Sequence, residues 1–234
     1  MNDFVKAFSF IGNNSGLLMD KVGEHMLVSV EAILIALVIG VPLGVWLGHL
    51  HRFSFLAINV ANIGRALPSL AVLAILLPFT GIGRTDVIIA LVVLAVPPIL
   101  TNAYVAIDQV ESDTVDAANG IGLRPMQVLF KIELPLALPL IFAGIRTSSV
   151  FVVATATLSG FFGGGGLGDI ISNHESYGLS GIIGASYVLI VLAMLVQIAF
   201  LGVERAVTPA SLRPARSRRF FRRAADIPRP STTS

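Results

Sequence analysis

The chain has 234 residues, of which 55% are hydrophobic and only 13% charged, with a mean hydropathy of +0.85. Soluble domains carry about 25% charged residues, so the composition excludes an ordinary soluble enzyme and points to a membrane. The absence of cysteine excludes disulfides and thiolate metal sites, and His25, His49, His51 and His174 show no zinc-binding spacing. The net charge of +2 conceals an asymmetry, because eight arginines stand from Arg205 onward against Asp226 alone.

Met1 to Leu18 lacks the basic start and compact apolar stretch of a cleavable signal and reads as a short amphipathic lead-in. Crossing a bilayer core of ~30 Å takes ~20 mostly apolar residues in a helix. Five windows qualify: about Met26 to Leu47, Phe55 to Phe79, Val87 to Ile107, Ala137 to Phe161 and Gly181 to Val203. The expected fold is all-α and polytopic, with five transmembrane helices. Its expected organisation is an external lead-in (1–25), a transmembrane domain (26–204) holding a polar loop (108–136), and a basic tail (205–234). Pro42, Pro68 and the pair Pro97-Pro98 interrupt spans, which a bundle tolerates when neighbours or cavity water satisfy the freed carbonyls. Thr101 and Asn102 after that pair read equally as packing or as the polar side of a pore.

Lysine and arginine placement sets the orientation. With the 108–136 loop in the cytoplasm, Arg52, Arg124, Lys131 and the eight tail arginines lie inside, eleven in all, against three (Lys6, Lys21 and Arg84) outside. The N-terminus is then external and the C-terminus cytoplasmic, as an odd number of spans requires.

The loop has a helical grammar of its own. Asp113 is the expected N-cap, with Asp116 as the acid of a capping box. Gly120 and Gly122 end the first helix, Arg124-Pro125 start a second, and Pro135 is expected to stop it. Met126, Val128, Leu129, Phe130 and Ile132 give the second helix an apolar side, while Ala117 and Ala118 leave a flat surface suited to a partner's groove. The bland reading is a solvated loop.

Asp116-Ala117-Ala118, three residues, Gly122, nine residues, then Ile132-Glu133-Leu134-Pro135 resembles the coupling loop of the membrane subunits of bacterial binding-protein-dependent ABC importers. The family pattern begins with Glu-Ala-Ala, so Asp116 is the departure; its shorter side chain implies a looser ion pair. Asn62-Ile63-Gly64-Arg65-Ala66-Leu67-Pro68-Ser69-Leu70 resembles the family's second-span signature, and Gly163 to Asp169 its glycine-rich segment. The run Leu123 to Pro139 resembles permeases for glycine betaine, choline, carnitine and related osmoprotectants, with methionine or other amino-acid importers as the alternative.

The resemblance implies a methionine-importer-permease-like fold and a multi-pass subunit in the bacterial plasma membrane with no catalytic residue and no cofactor of its own. It implies a second permease subunit, identical or related, two ATP-binding subunits carrying ATP and Mg²⁺, and an extracytoplasmic solute-binding protein. Asp116, Ala117, Ala118, Gly122, Ile132, Leu134 and Pro135 are then the ATPase-coupling residues. No nucleic-acid partner is expected.

Gly163 to Gly168 lacks the Gly-Lys-Ser/Thr ending of a phosphate loop and reads as a tight external turn. Gly163, Gly164, Gly165, Gly166 and Gly168 are candidate contacts for the binding protein. Arg65 and Arg146 lie at similar depth, where charge is costly unless paired or hydrated. They either snorkel to the inner interface or line the path, and no acid stands at matching depth in a proposed span. With Pro68, Ser69, Thr101, Asn102 and Ser149 they form the candidate translocation path. The tail is expected to be disordered and to attract anionic lipid, at ~1 kcal/mol per basic residue near the surface. A different class, a membrane enzyme acting on lipid, has only His49 and His51 in its favour.

Overall fold

The structure is a computed structural model that describes residues 2–50, 55, 59, 62–64 and 66–207. Arg52, His51, the candidate path residue Arg65 and the tail beyond Val207 therefore lie outside the described residues. The described residues form helices and connecting turns, with no strand among them. We number the helices α1 (Asn2–Asn13), α2 (Ser15–His49), α3 (Ser69–Thr80), α4 (Arg84–Asp108), α5 (Ser112–Gly120), α6 (Pro125–Val128), α7 (Leu134–Thr155), α8 (Leu167–Ser172) and α9 (His174–Val207).

Among the described residues, four helical stretches are long and apolar enough to cross a membrane: Ser15–His49, Arg84–Asp108, Pro125–Phe161 and His174–Val207. The expected second span is represented by α3, 12 apolar residues, or ~18 Å at 1.5 Å per residue. At 35 residues, α2 reaches ~52 Å and outruns the bilayer core. It runs unbroken through the boundary drawn at residues 25 and 26, so residues 15–25 of the lead-in and the first span are one helix. Pro42 lies within α2, and Pro97 and Pro98 within α4, without ending either helix.

The largest interface joins α2 to α4, and glycines set its closeness. Gly40, Gly44 and Gly48 recur every fourth residue on one face of α2, and all three are buried. A β-carbon at Gly40 would stand 2.8 Å from Ile99 Cγ2, and one at Gly48 would stand 2.8 Å from both Ile107 Cβ and the Tyr104 carbonyl. Close backbone approach through small residues is how membrane helices gain dispersion contact when lipid offers no hydrophobic contrast. Val28, Ala32 and Ala36 of α2 extend this seam outward against Leu91, Leu94 and Ala95 of α4. Toward the other end of α4, Ala103, Ala106 and Ile107 pack with Leu129, Ala137, Ile141 and Ile145.

At the outer end, the amphipathic expectation for the lead-in takes the form of α1 lying on α9. Phe10 fills the space that side chains at Gly181 and Gly184 would occupy, and Phe8 stacks on Tyr187 with ring centroids 5.4 Å apart. Leu18, Leu167, Ile170 and Ala185 make a third small core there. The long α9 bends at Gly178, whose φ of 62° breaks the helix.

Candidate functional site

The polar loop folds as the helical hairpin that its residues suggest, with local corrections. Glu111, not Asp113, is the N-cap of α5, and no side chain caps it. Asp113 falls within the first turn, where its charge still faces the positive helix end. The C-terminus is more fully built. Gly122 adopts a φ of 85°, its N–H donates to the Asn119 carbonyl at 2.9 Å, and the Leu123 N–H donates to the Ala118 carbonyl at 3.2 Å. This pair of bonds is a Schellman closure, which needs a left-handed residue at the Gly122 position. Arg124 then caps α6, with Pro125 in the first turn and Gln127 Oε1 accepting from the Arg124 N–H at 2.9 Å.

Pro135 does not stop the chain. A wide turn, Leu129–Glu133, joins α6 to α7, and the Leu134 N–H donates to Leu129 O, five residues back. Proline brings no N–H and its ring crowds the carbonyl four residues earlier. The wider turn accommodates both defects, so the helix passes from the hairpin into the membrane span.

Burial divides the coupling residues. Asp116, Ala117 and Gly122 are exposed, whereas Ala118 is only 5% exposed. The flat surface expected of both alanines is therefore offered by Ala117 alone, while Ala118 faces the chain's own bundle. Of the apolar set, Val128 and Leu129 are buried; Met126 and Phe130 are more than half exposed or at the half-exposed mark, and Ile121 is 81% exposed. The hairpin is thus pinned to the bundle by its second helix and presents a carboxylate, a small residue and several large apolar side chains outward.

Sequence reading missed one element of this site. Glu133, the variable residue of Ile-Glu-Leu-Pro, is 1% exposed. Its Oε2 accepts a hydrogen bond from His49 Nδ1 at 2.6 Å. His49 is the last residue of α2, so the pair ties the C-terminal end of α2 to the base of the hairpin. No local pattern announces a partner 84 residues away. His51 lies outside the described residues. No cluster of three or more potential metal ligands occurs among the described residues.

The described candidate path residues fall on α3, α4 and α7. Thr101 Oγ1 donates to the Pro97 carbonyl at 2.9 Å and Asn102 Nδ2 to the Pro98 carbonyl at 2.7 Å. Asn102 also packs against Gly144 of α7. Ser149 is buried and donates to the Ile145 carbonyl. Arg146, for which no partner was expected, binds Glu204 of α9 at 2.9 Å; the acid stands just beyond the proposed fifth window. Pro68 and Ser69 lie at the start of α3. Ser69 lines a cavity of about 310 Å³ with Leu94, Pro98, Thr147, Ser148 and Phe151.

The glycine-rich segment is a turn, as expected, but most of it faces inward. Gly163, Gly165 and Gly166 have φ of 69°, 81° and 86°. Gly164, Gly166 and Gly168 are buried, which removes them from any docking contact and leaves Gly163 and the partly exposed Gly165. Gly164 fits against Val87, and Gly166 against His25. The Gly166 N–H donates to Glu24 Oε2 at 2.9 Å. Lys21 Nζ bridges the same Glu24 oxygen at 2.8 Å and Asp169 Oδ2 at 2.7 Å. Nearby, Glu31 and Arg84 pair at 2.5 Å across α2 and α4.

Residues 40–211 match the family model described as binding-protein-dependent transport system inner membrane component. The chain is 38% identical over 205 residues to the glycine betaine/carnitine/choline transport system permease protein OpuCB of Bacillus subtilis (strain 168), covering 87% of this chain and 94% of that protein. It is 39% identical over 204 residues to the choline transport system permease protein OpuBB of the same organism, again covering 87% and 94%. Among solved structures it resembles a chain of the MetNI methionine ABC transporter in an inward-facing conformation, with a TM-score of 0.75, 27% identity, and 83% of this chain and 98% of that chain covered. This chain belongs to the family of inner membrane components of binding-protein-dependent transport systems.

Proposed function

We propose that the chain is the membrane-spanning subunit of an ABC importer for osmoprotectants such as glycine betaine, choline and carnitine. The observation that carries the solute class is the 38–39% identity, over 94% of their length, to permeases named for these solutes. The likeness to the methionine importer is lower in identity and supports a shared fold.

In this reading five helices cross the membrane, and α3 belongs to the second of them. The eleven-to-three bias of lysine and arginine supports an external N-terminus and a cytoplasmic hairpin. Two such subunits, identical or related, enclose the path. Two ATP-binding subunits carry ATP and Mg²⁺ at the cytoplasmic face, and a solute-binding protein delivers cargo outside, with Gly163 and Gly165 as candidate contacts. The exposed Asp116, Ala117, Ile121 and Phe130 meet the ATPase. Closure of the ATPases on ATP pushes the hairpin. The buried His49–Glu133 bond transmits that push to α2, and the continuous helix through Pro135 transmits it to α7. Helices then rock between inward-open and outward-open states, a rigid-body alternation. No group on this chain makes or breaks a covalent bond.

The test is uptake by proteoliposomes holding the assembled importer. Glycine betaine or choline is expected to accumulate only with ATP inside and the loaded binding protein outside. Uptake of methionine but neither osmoprotectant would overturn the solute assignment.

A further inference from the structure

Ser148 departs from its neighbours. In α7, Thr147 donates its hydroxyl to the Ala143 carbonyl at 2.9 Å and Ser149 donates to the Ile145 carbonyl at 2.8 Å. This back-bonding, four residues toward the N-terminus, is the usual resting place of a helical hydroxyl. Ser148 is 2% exposed, yet its Oγ has no hydrogen-bond partner. A buried polar atom without a partner is rare enough to require a reason, and this one lines the 310 Å³ cavity between α3, α4 and α7.

The start of α3 lies at the same cavity. Pro68 is its N-cap, and no side chain caps the first turn. Proline cannot donate, and the free amides beyond it carry the positive end of the helix dipole. A helix N-terminus of this kind favours a carboxylate or another anion. Ser69, the first residue of α3, lines the cavity and adds a hydroxyl. Thr147 also lines the cavity, its hydroxyl taken by the Ala143 carbonyl, and the other walls are apolar, among them Leu94 and Pro98 from α4 and the half-exposed ring of Phe151 from α7. An aromatic face attracts a quaternary ammonium, and the apolar walls accept its methyl groups. The volume is at the small end of ligand cavities, ~300–1,000 Å³.

We infer that this cavity is a solute subsite on the transport path, built for a small zwitterion. Its carboxylate sits at the start of α3 and accepts a hydrogen bond from Ser148 Oγ, and its trimethylammonium group lies against Phe151. The inference rests on the proposed osmoprotectant function and deepens it, because it separates carboxylate-bearing solutes from choline, which has no carboxylate.

The experiment compares glycine betaine with choline in ATP-driven uptake by the complete reconstituted importer, at saturating binding protein. A hydrogen bond to a charged group is worth ~1.5–3 kcal/mol, and 1.4 kcal/mol is a factor of ten. The betaine-to-choline ratio of uptake rates is therefore expected to fall about tenfold or more in Ser148→Ala. In Ser186→Ala, whose hydroxyl in α9 already donates to the Ile182 carbonyl at 2.8 Å, the ratio is expected to hold. Removing an unpartnered hydroxyl is also expected to leave the unfolding midpoint of Ser148→Ala equal or higher, whereas a purely structural hydroxyl would lower it. If the wild type carries both solutes and Ser148→Ala keeps their ratio, the subsite is overturned and the functional proposal stands. If the wild type carries neither, the functional proposal fails and the subsite fails with it.

Discussion

Replacing His49 by alanine is expected to destabilise the protein by about 3–5 kcal/mol, the usual cost of stripping the partner from a buried charged group. The burial is unequal: the Glu133 side chain is 1% exposed and that of His49 15%. Loss of the imidazole leaves the carboxylate in a site where water cannot replace the 2.6 Å bond. Glu133→Gln is expected to cost less, because an amide oxygen still accepts from Nδ1. In His49→Ala/Glu133→Ala the two losses should not add, with a coupling of ~0.5–3 kcal/mol. Unfolding of purified protein in detergent, monitored by temperature, measures all four corners of the cycle. Additive losses would show that the two side chains do not act as a pair. In the assembled importer the same variants are expected to hydrolyse ATP while moving less solute per ATP, because the hairpin then moves without carrying α2 along.

Gly44→Val is expected to damage the fold at least as severely as any single change in the α2–α4 seam. A β-carbon at Gly44 would stand 2.7 Å from Ala103 Cβ and press on the Leu100 carbonyl. The obstacle is partly backbone, which cannot swing aside as a flexible side-chain tip can. Overpacking costs about 1–3 kcal/mol, occasionally more, and this site belongs at the upper end because the largest helix–helix interface must open to admit valine. Gly202→Ala is the contrasting change. No atom lies within 4 Å of its added carbon, and alanine is favoured over glycine in a helix by up to ~1 kcal/mol. Yield and thermal unfolding in detergent are expected to fall sharply for Gly44→Val and to stay equal or rise for Gly202→Ala. Similar behaviour of the two variants would mean that the close glycine contact does not hold α2 to α4.

These two sites differ in how far the sequence announced them. Features fixed by neighbouring residues were legible. Gly122 closed α5, Arg124-Pro125 opened α6, and four of the five long apolar windows became spanning helices among the described residues, because turn chemistry and hydrophobic length act within a few residues. Features fixed by packing were not. Ala117 and Ala118 are chemically identical, and only the docking of α5 on the bundle buries one and exposes the other. Pro135 reads as a stop in isolation, yet a wider turn just before it absorbs the missing donor. The ion pairs His49–Glu133, Arg146–Glu204 and Lys21–Asp169 join residues far apart in the chain, and hydropathy carries no register for such partners. The glycine-rich segment shows both regimes: positive φ at Gly163, Gly165 and Gly166 is local turn chemistry, while the burial of Gly164, Gly166 and Gly168 belongs to packing.

Ala117 offers the most direct probe of the hairpin as the surface through which a separate ATPase drives transport. The chain has no cysteine, so Ala117→Cys creates a single reactive thiol at an exposed position. In reconstituted importer that still carries solute, a short bifunctional crosslinker at this thiol is expected to capture the ATP-binding subunit, with a yield that changes between nucleotide-free and ATP-bound states. Transport-competent complex that yields no adduct with the ATPase in either state would contradict the hairpin's role as the motor-facing lever.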